Sequence, residues 1–222
     1  MIKFTGTEGL IFFNKILVIS DLHLGIEKEL SMQGINIPSQ TDYVLNKIRK
    51  LKKKYNLDYL IINGDLKHNI PRTTFQELSD VPVFLNEISM DFKKIYIIKG
   101  NHDGDIEDLI PTDIKNIRLL KALKIGNIVF THGHVKTRLN GKYYVIGHHH
   151  FAKSISTNIG EAIYEKVFVV GYTDDKIIIF LPAFSDLSGL LEVGEFHGPI
   201  AKNIKKYEVY TLDGILIEEK EL

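Results

Sequence analysis

Five short runs of Ile, Val, Leu and Tyr, each closed by a small set of His, Asp or Asn, constrain this chain more than any other feature. Ile16–Ser20 leads straight into Asp21-Leu-His23, Tyr59–Asn63 into Gly64–Asp65, and Ile95–Lys99 into Gly100-Asn101-His102-Asp103. Ile128–Thr131 leads into His132-Gly-His134, and Tyr143–Ile146 into Gly147-His148-His149-His150. Short apolar runs of this composition read as buried strands. The polar sets then fall at the carboxyl ends of strands, the edge where open α/β sheets place ligands. A glycine precedes three of the five sets, which permits tight turns or close backbone approach. One Asp-x-His or Gly-Asp alone would carry little weight, because Asp and Asn after a strand are common turn formers. Five in register carry much more.

Between the first three runs the periodicity turns helical. Pro38 followed by Ser39-Gln-Thr-Asp42 predicts a capping-box start. Val44, Ile48, Leu51 and Tyr55 then share one helical face. Phe75, Leu78, Val81, Leu85 and Ile88 form a second such stripe, which Pro82 should kink or split. A short helical turn is expected near Ile106–Ile110. This β-α-β-α-β order predicts a mostly parallel sheet with right-handed crossovers. Afterwards strands dominate, with runs at Ile117–Leu120, Val167–Val170 and Ile177–Leu181. Tyr207–Leu212 and Ile215–Ile217 flank Asp213–Gly214, a hairpin signal. The expectation is one domain of mixed α/β (α+β) class over residues 1–222, with two packed sheets and outer helices. Its motif-bearing core spans about 16–150, and the strand-rich part 151–222 completes the second sheet.

Composition narrows the chemistry. Among 222 residues there is no cysteine, which excludes disulfides, thiolate zinc sites, iron–sulfur clusters and a cysteine nucleophile. Lys plus Arg number 28 and so do Asp plus Glu, so net charge gives no global reason to expect nucleic acid, while leaving room for a local site. The Lys52–Lys54 run and Lys202, Lys205 and Lys206 read as solvated faces. Thr5–Gly9 and Asn14–Lys15 interrupt any signal-peptide core, and Pro182 ends an apolar stretch far short of the ~20 residues of a membrane span. The expectation is a soluble, cytoplasmic chain without membrane association.

The polar sets supply nitrogen and oxygen donors. Carboxylates neutralise and bridge divalent ions, and imidazoles suit first-row transition metals. Seven candidates, Asp21, His23, Asp65, Asn101, His132, His148 and His150, exceed the needs of one tetrahedral ion. They suit two metals about 3.5–4 Å apart sharing a carboxylate. His132, directly after its strand, is preferred over His134. Alternation sets His148 and His150 to one side and His149 to the other, as a packing or solvent residue. His68 reads equally as a substrate-edge contact or a loop residue, His197 as structural, and Phe184 and Phe196 as core.

As a set, these motifs resemble the calcineurin-like metallophosphoesterase superfamily, in family order over roughly residues 16 to 150. Asp21-Leu-His-Leu-Gly25, Gly64-Asp-Leu-Lys-His68 and Leu181-Pro-Ala-Phe184 are most similar to its small archaeal branch, related to double-strand-break repair nucleases. The resemblance implies a four-layer αββα sandwich. It implies one metal on Asp21, His23 and His150, another on Asn101, His132 and His148, and Asp65 bridging them. Manganese is the metal implied; iron, zinc and nickel also suit such donors. A water bridging the ions would be the nucleophile. His102 would contact the phosphate and protonate the leaving alkoxide, with Asp103 orienting its imidazole. The implied substrate is a phosphate ester, with diester hydrolysis, including DNA or RNA cleavage, favoured over phosphomonoester hydrolysis. A non-catalytic metal-bound scaffold is the third reading, and retention of His102 argues against it. The chain departs from the family at Leu66-Lys67-His68, where many members carry an acidic residue.

Overall fold

The structure, a computed structural model, describes residues 2–156 and 162–222. The first part contains β1 (Ile2–Phe4), β2 (Leu10–Phe12), β3 (Ile16–Ile19), α1 (Ile26–Met32), α2 (Thr41–Tyr55), β4 (Tyr59–Ile62), α3 (Phe75–Ser89), β5 (Lys94–Ile98), a 3-10 turn at Ile106–Leu109, and β6 (Ile117–Leu120). The six strands form one sheet in chain order, β3 to β6 parallel and β1–β2 an antiparallel edge. Alternation along each strand sorts the side chains. Leu17, Ile19, Leu60, Ile62, Ile95 and Ile97 pack against Val44, Ile48 and Leu51 of α2 and Val81, Phe84 and Ile88 of α3. Val18, Ile61 and Ile98 point the other way, into the second sheet.

That second sheet is built from β7 (Leu123–Ile125), β8 (Ile128–Phe130), β9 (Tyr143–Ile146), β12 (Phe168–Tyr172), β13 (Ile177–Phe180), β15 (Lys206–Tyr210) and β16 (Leu216–Glu221), ordered β16-β15-β12-β13-β9-β8-β7. β10 (Phe151–Ser156), β11 (Ala162–Lys166) and β14 (Leu191–Glu192) make a separate small sheet. Phe130, Val145, Phe168, Ile179 and Leu181 meet the first sheet across a buried seam. The mixed α/β class with its sheet-on-sheet core is therefore as expected. The outer layers differ, however. Among the described residues every α-helix precedes residue 90, and the far face of the second sheet is covered by Phe151, Val193, Phe196, Ala201 and Ile204 instead.

Two local expectations are corrected. α2 has Gln40 rather than Ser39 at its N-cap and no side-chain cap there; the Ser39 hydroxyl, one residue earlier, accepts from Thr41 N (3.3 Å) and donates to Asp80 (2.8 Å). The capping box belongs to α3, where Thr74 Oγ1 accepts from Glu77 N and the Glu77 carboxylate accepts from Thr74 N. Pro82 does not split α3. Leu78, whose carbonyl loses its donor to that proline, lies on the exposed side, where water can replace it.

Candidate metal centre

β3, β4, β5, β8 and β9 deliver their polar sets to one place, and the backbone there is unusual. Asp21 (φ 58°), His23 (49°), Asp65 (50°), His148 (73°) and His150 (50°) all adopt left-handed conformations. Each costs a non-glycine residue about 1–3 kcal/mol, so the surroundings must hold it. Backbone bonds between loops do so: Asp21 N donates to Gly64 O and His23 N to Asp65 O, both at 3.0 Å. Asn63, fully buried, donates through Nδ2 to Thr131 O and Val145 O and ties the two sheets together at this edge. The glycines ahead of three sets leave room for ligands of other loops. A Cβ on Gly64 would overlap His132, one on Gly100 would overlap Asp65, and one on Gly147 would overlap Ser20 and Asp21.

The seven candidates gather into two groups. In the first, His150 Nε2 lies 3.2 Å from Asp21 Oδ1 and 3.3 Å from His23 Nε2. In the second, His132 Nε2 lies 3.2 Å from Asp65 Oδ2 and 3.0 Å from Asn101 Oδ1, with His148 completing the set. Asp65 Oδ2 is also 4.0 Å from His23 Nε2, so it sits between the groups. The outward nitrogens are committed. His132 Nδ1–H donates to Asn63 O at 3.1 Å and His150 Nδ1–H to Gly189 O at 3.0 Å, leaving both Nε2 lone pairs aimed inward. Asp21 is fixed by the Ser20 hydroxyl and by the His148 amide.

Lone pairs aimed at lone pairs need a cation between them. A proton supplies it to His132: burial alone would lower its pKa, but the Asp65 and Asp21 carboxylates outweigh that and raise it to about 9. Burial pulls His23 down to about 3 despite the same carboxylates. Asp21 is held well below the usual range; its burial opposes ionisation, but His150, His132 and His23 prevail. This donor set, rich in imidazole and carboxylate and poor in internal donors, fits divalent cations.

His102 and Asp103 follow different paths from the one adjacency suggested. His102 N donates to Asp65 Oδ1 (2.8 Å), and its Nδ1–H donates to the His68 carbonyl, leaving Nε2 without a hydrogen-bond partner among the described residues. Asp103 does not orient that ring. It is fully buried and accepts instead from Gly100 N (2.8 Å) and Lys67 N (3.2 Å), fastening the β4 and β5 loops together. Burial, with Asp65 nearby, raises its pKa to about 6.

His68 is more than a loop residue. Its Nδ1 lies 3.2 Å from His23 Nδ1, and its Nε2 lies 2.7 Å from Glu29 Oε2 on α1. Glu29, His68 and His23 thus form a line that, with Nε2–H donating to Glu29 and His23 Nδ1–H donating to His68, turns His23 Nε2 inward. No single segment of sequence carries that line. His149 packs between Phe151 and Phe180, its ring 4.9 and 4.8 Å from theirs, away from the centre. His197 meets it through its backbone and through a near-parallel ring 6.4 Å away. Phe184 is buried on the helical side and Phe196 packs against the second sheet.

Imidazoles and carboxylates converging at parallel strand ends, on two packed mixed sheets, define a metal-dependent phosphoester hydrolase. The chain belongs to the calcineurin-like phosphoesterase family, whose profile matches residues 14–180. Its fold is similar to that of a nuclease, MPE, from Pseudomonas putida, at 18% identity and TM-score 0.62, covering 94% of this chain and 90% of that one. A phosphoesterase from E. coli, YfcE, matches at 16% identity and TM-score 0.45, over 93% of this chain and 98% of that one. Among the described residues no helix is long and apolar enough to cross a membrane.

Proposed function

We propose that residues 1–222 act as one phosphodiesterase domain using two divalent cations, manganese foremost. Asp21, His23 and His150 hold one, Asn101, His132 and His148 the other, and Asp65 is shared. The observation that carries this is the pair of inward-facing donor groups with their outer nitrogens tied to Asn63 O and Gly189 O. When bound, the cations neutralise phosphate charge and acidify an attacking water. The chain's own residues do the rest. The His68 carbonyl holds the His102 Nδ1–H, so Nε2 is the atom that passes a proton to the leaving alkoxide. Asp103 keeps His102 in place indirectly, by fixing the turn at Gly100. Support for a diester comes from the similarity in fold to a nuclease.

The test compares bis-p-nitrophenyl phosphate with p-nitrophenyl phosphate, with manganese, iron, zinc or nickel added to chelator-treated protein. Diester turnover restored best by manganese is expected. Turnover of the monoester alone would overturn the diester reading, and no turnover with any metal would overturn hydrolysis altogether.

A further inference from the structure

A groove of about 740 Å³ opens beside the centre, lined among others by Lys99, Gly100, Lys121, His134, Lys136 and Arg138. It begins at Gly100, bonded directly to Asn101, and passes His134, whose ring lies 5.2 Å from that of His132 and 6.1 Å from that of His148. The groove therefore lies next to the candidate centre. No Asp or Glu lines it. Lys99 is neutralised by Glu107, whose two oxygens lie 2.8 and 2.9 Å away. Lys121, Lys136 and Arg138 are exposed and, among the described residues, form no ion pair. Elsewhere the part-buried cations are treated differently: Lys47, Lys153 and Lys166 each lie between two carboxylates. At the groove's inner end, His134 Nδ1 is buried without a hydrogen-bond partner.

We propose that this groove binds the phosphate backbone of a nucleic-acid strand and feeds it past the metal centre, an inference that rests on the phosphodiesterase reading. Three unpaired cations lining one groove suit a ligand carrying successive negative charges, whereas a single phosphate would be met at the centre itself. Phe, Tyr and Trp are absent from the lining, so bases have no stacking platform there. Contact is with phosphates, independent of base sequence. The neutral net charge of the chain hides this site because no acid is among the groove's own lining residues.

The experiment uses manganese-loaded protein, a short fluorescein-labelled oligothymidylate and two triple variants, Lys121→Gln/Lys136→Gln/Arg138→Gln and the corresponding Glu substitutions. Thermal melts establish that both are folded. Oligonucleotide affinity should fall on the order of tenfold in the Gln variant and further in the Glu variant. The slope of log affinity against log salt should shrink by about 2. Turnover of bis-p-nitrophenyl phosphate, which carries one phosphate, should stay within about twofold of wild type. Unchanged affinity and salt slope would overturn the groove's role, as would equal losses on both substrates. Wild-type protein that binds the oligonucleotide with this signature but hydrolyses no diester would keep the groove and overturn the reaction. Diester turnover with no oligonucleotide effect would do the reverse.

Discussion

His102 anchors its ring by one nitrogen and offers the other, a division of labour that can be read out separately from metal binding. His102→Ala should lower kcat by about 10²–10⁴-fold. Its metal content, measured on the purified protein by elemental analysis, should match wild type. Asp65→Asn should show the opposite order, losing metal first, because Asp65 Oδ2 lies between His132 Nε2 and His23 Nε2. If the first variant lost metal and the second kept it, the roles would be exchanged. His68→Phe retains ring shape and the backbone carbonyl but removes the partner of His23 Nδ1. An affinity for manganese weaker by about 10–100-fold is expected from competition with a chelating dye. Unchanged affinity would mean that packing alone orients His23. The candidate ligands were legible because each follows its strand within a few residues. The Glu29–His68–His23 line was not, since its members come from α1 and two different loops. Asp103 misled for the converse reason. Neighbours in a tight turn diverge, so adjacency to His102 gave the wrong partner.

The N-terminus of α3 rests on Glu77, and this element shows what local pattern can and cannot reveal. Glu77 is fully buried and accepts from Thr74 N (2.7 Å), Thr74 Oγ1 (2.9 Å), His68 N (3.0 Å) and Asn69 N (2.6 Å). It thereby pins the loop that carries His68. Glu77→Ala should cost about 3 kcal/mol in a denaturant titration, since two loop amides lose a charged acceptor. Thr74→Ala, which removes the cap alone, should cost about 1 kcal/mol. Equal costs would show that the loop amides contribute nothing. Ser39–Asp42 and Thr74–Glu77 both satisfy the capping pattern, but α2 begins with Gln40 at its N-cap, so Ser39 lies one residue too early to close the box. The Ile- and Val-rich strands declared themselves by burial on both faces. β10 and β11 did not, because Ile155, Ile163 and Tyr164 are exposed and little apolar alternation remains. α1 is seven residues long and starts from Gly25 at φ 91°, too short for a stripe and without a hydroxyl cap.

Across the whole molecule, acid should act on the metal-free protein partly through His149. Both its nitrogens are bonded in the neutral form, with Nδ1–H donating to Gly147 O and Nε2 accepting from His197 N. Burial lowers its pKa from 6.5 to about 4, with His148 adding to the effect. The unfolded chain therefore binds this proton first. Stability is fully present above about pH 6.5 and falls as pH drops toward 4, by up to about 3 kcal/mol from this group. Melts in chelator at neutral pH and at pH 4.5 check this: His149→Gln should lose less stability on acidification than wild type. Parallel losses would assign the acid sensitivity to other groups.

The three glycines that make room for other loops' side chains have a further consequence. Gly64 yields to His132, Gly100 to Asp65, and Gly147 to Ser20 and Asp21, while the Asp21 amide reaches back to Gly64 O. Each loop is cut to the outline of another, across both sheets. None of them is a cassette. A loop grafted alone into a new scaffold would arrive without the side chain that fills its gap, and a loop remodelled in place would collide with a neighbour left unaltered. Retuning this centre for a different metal is thus a design problem in five coupled parts.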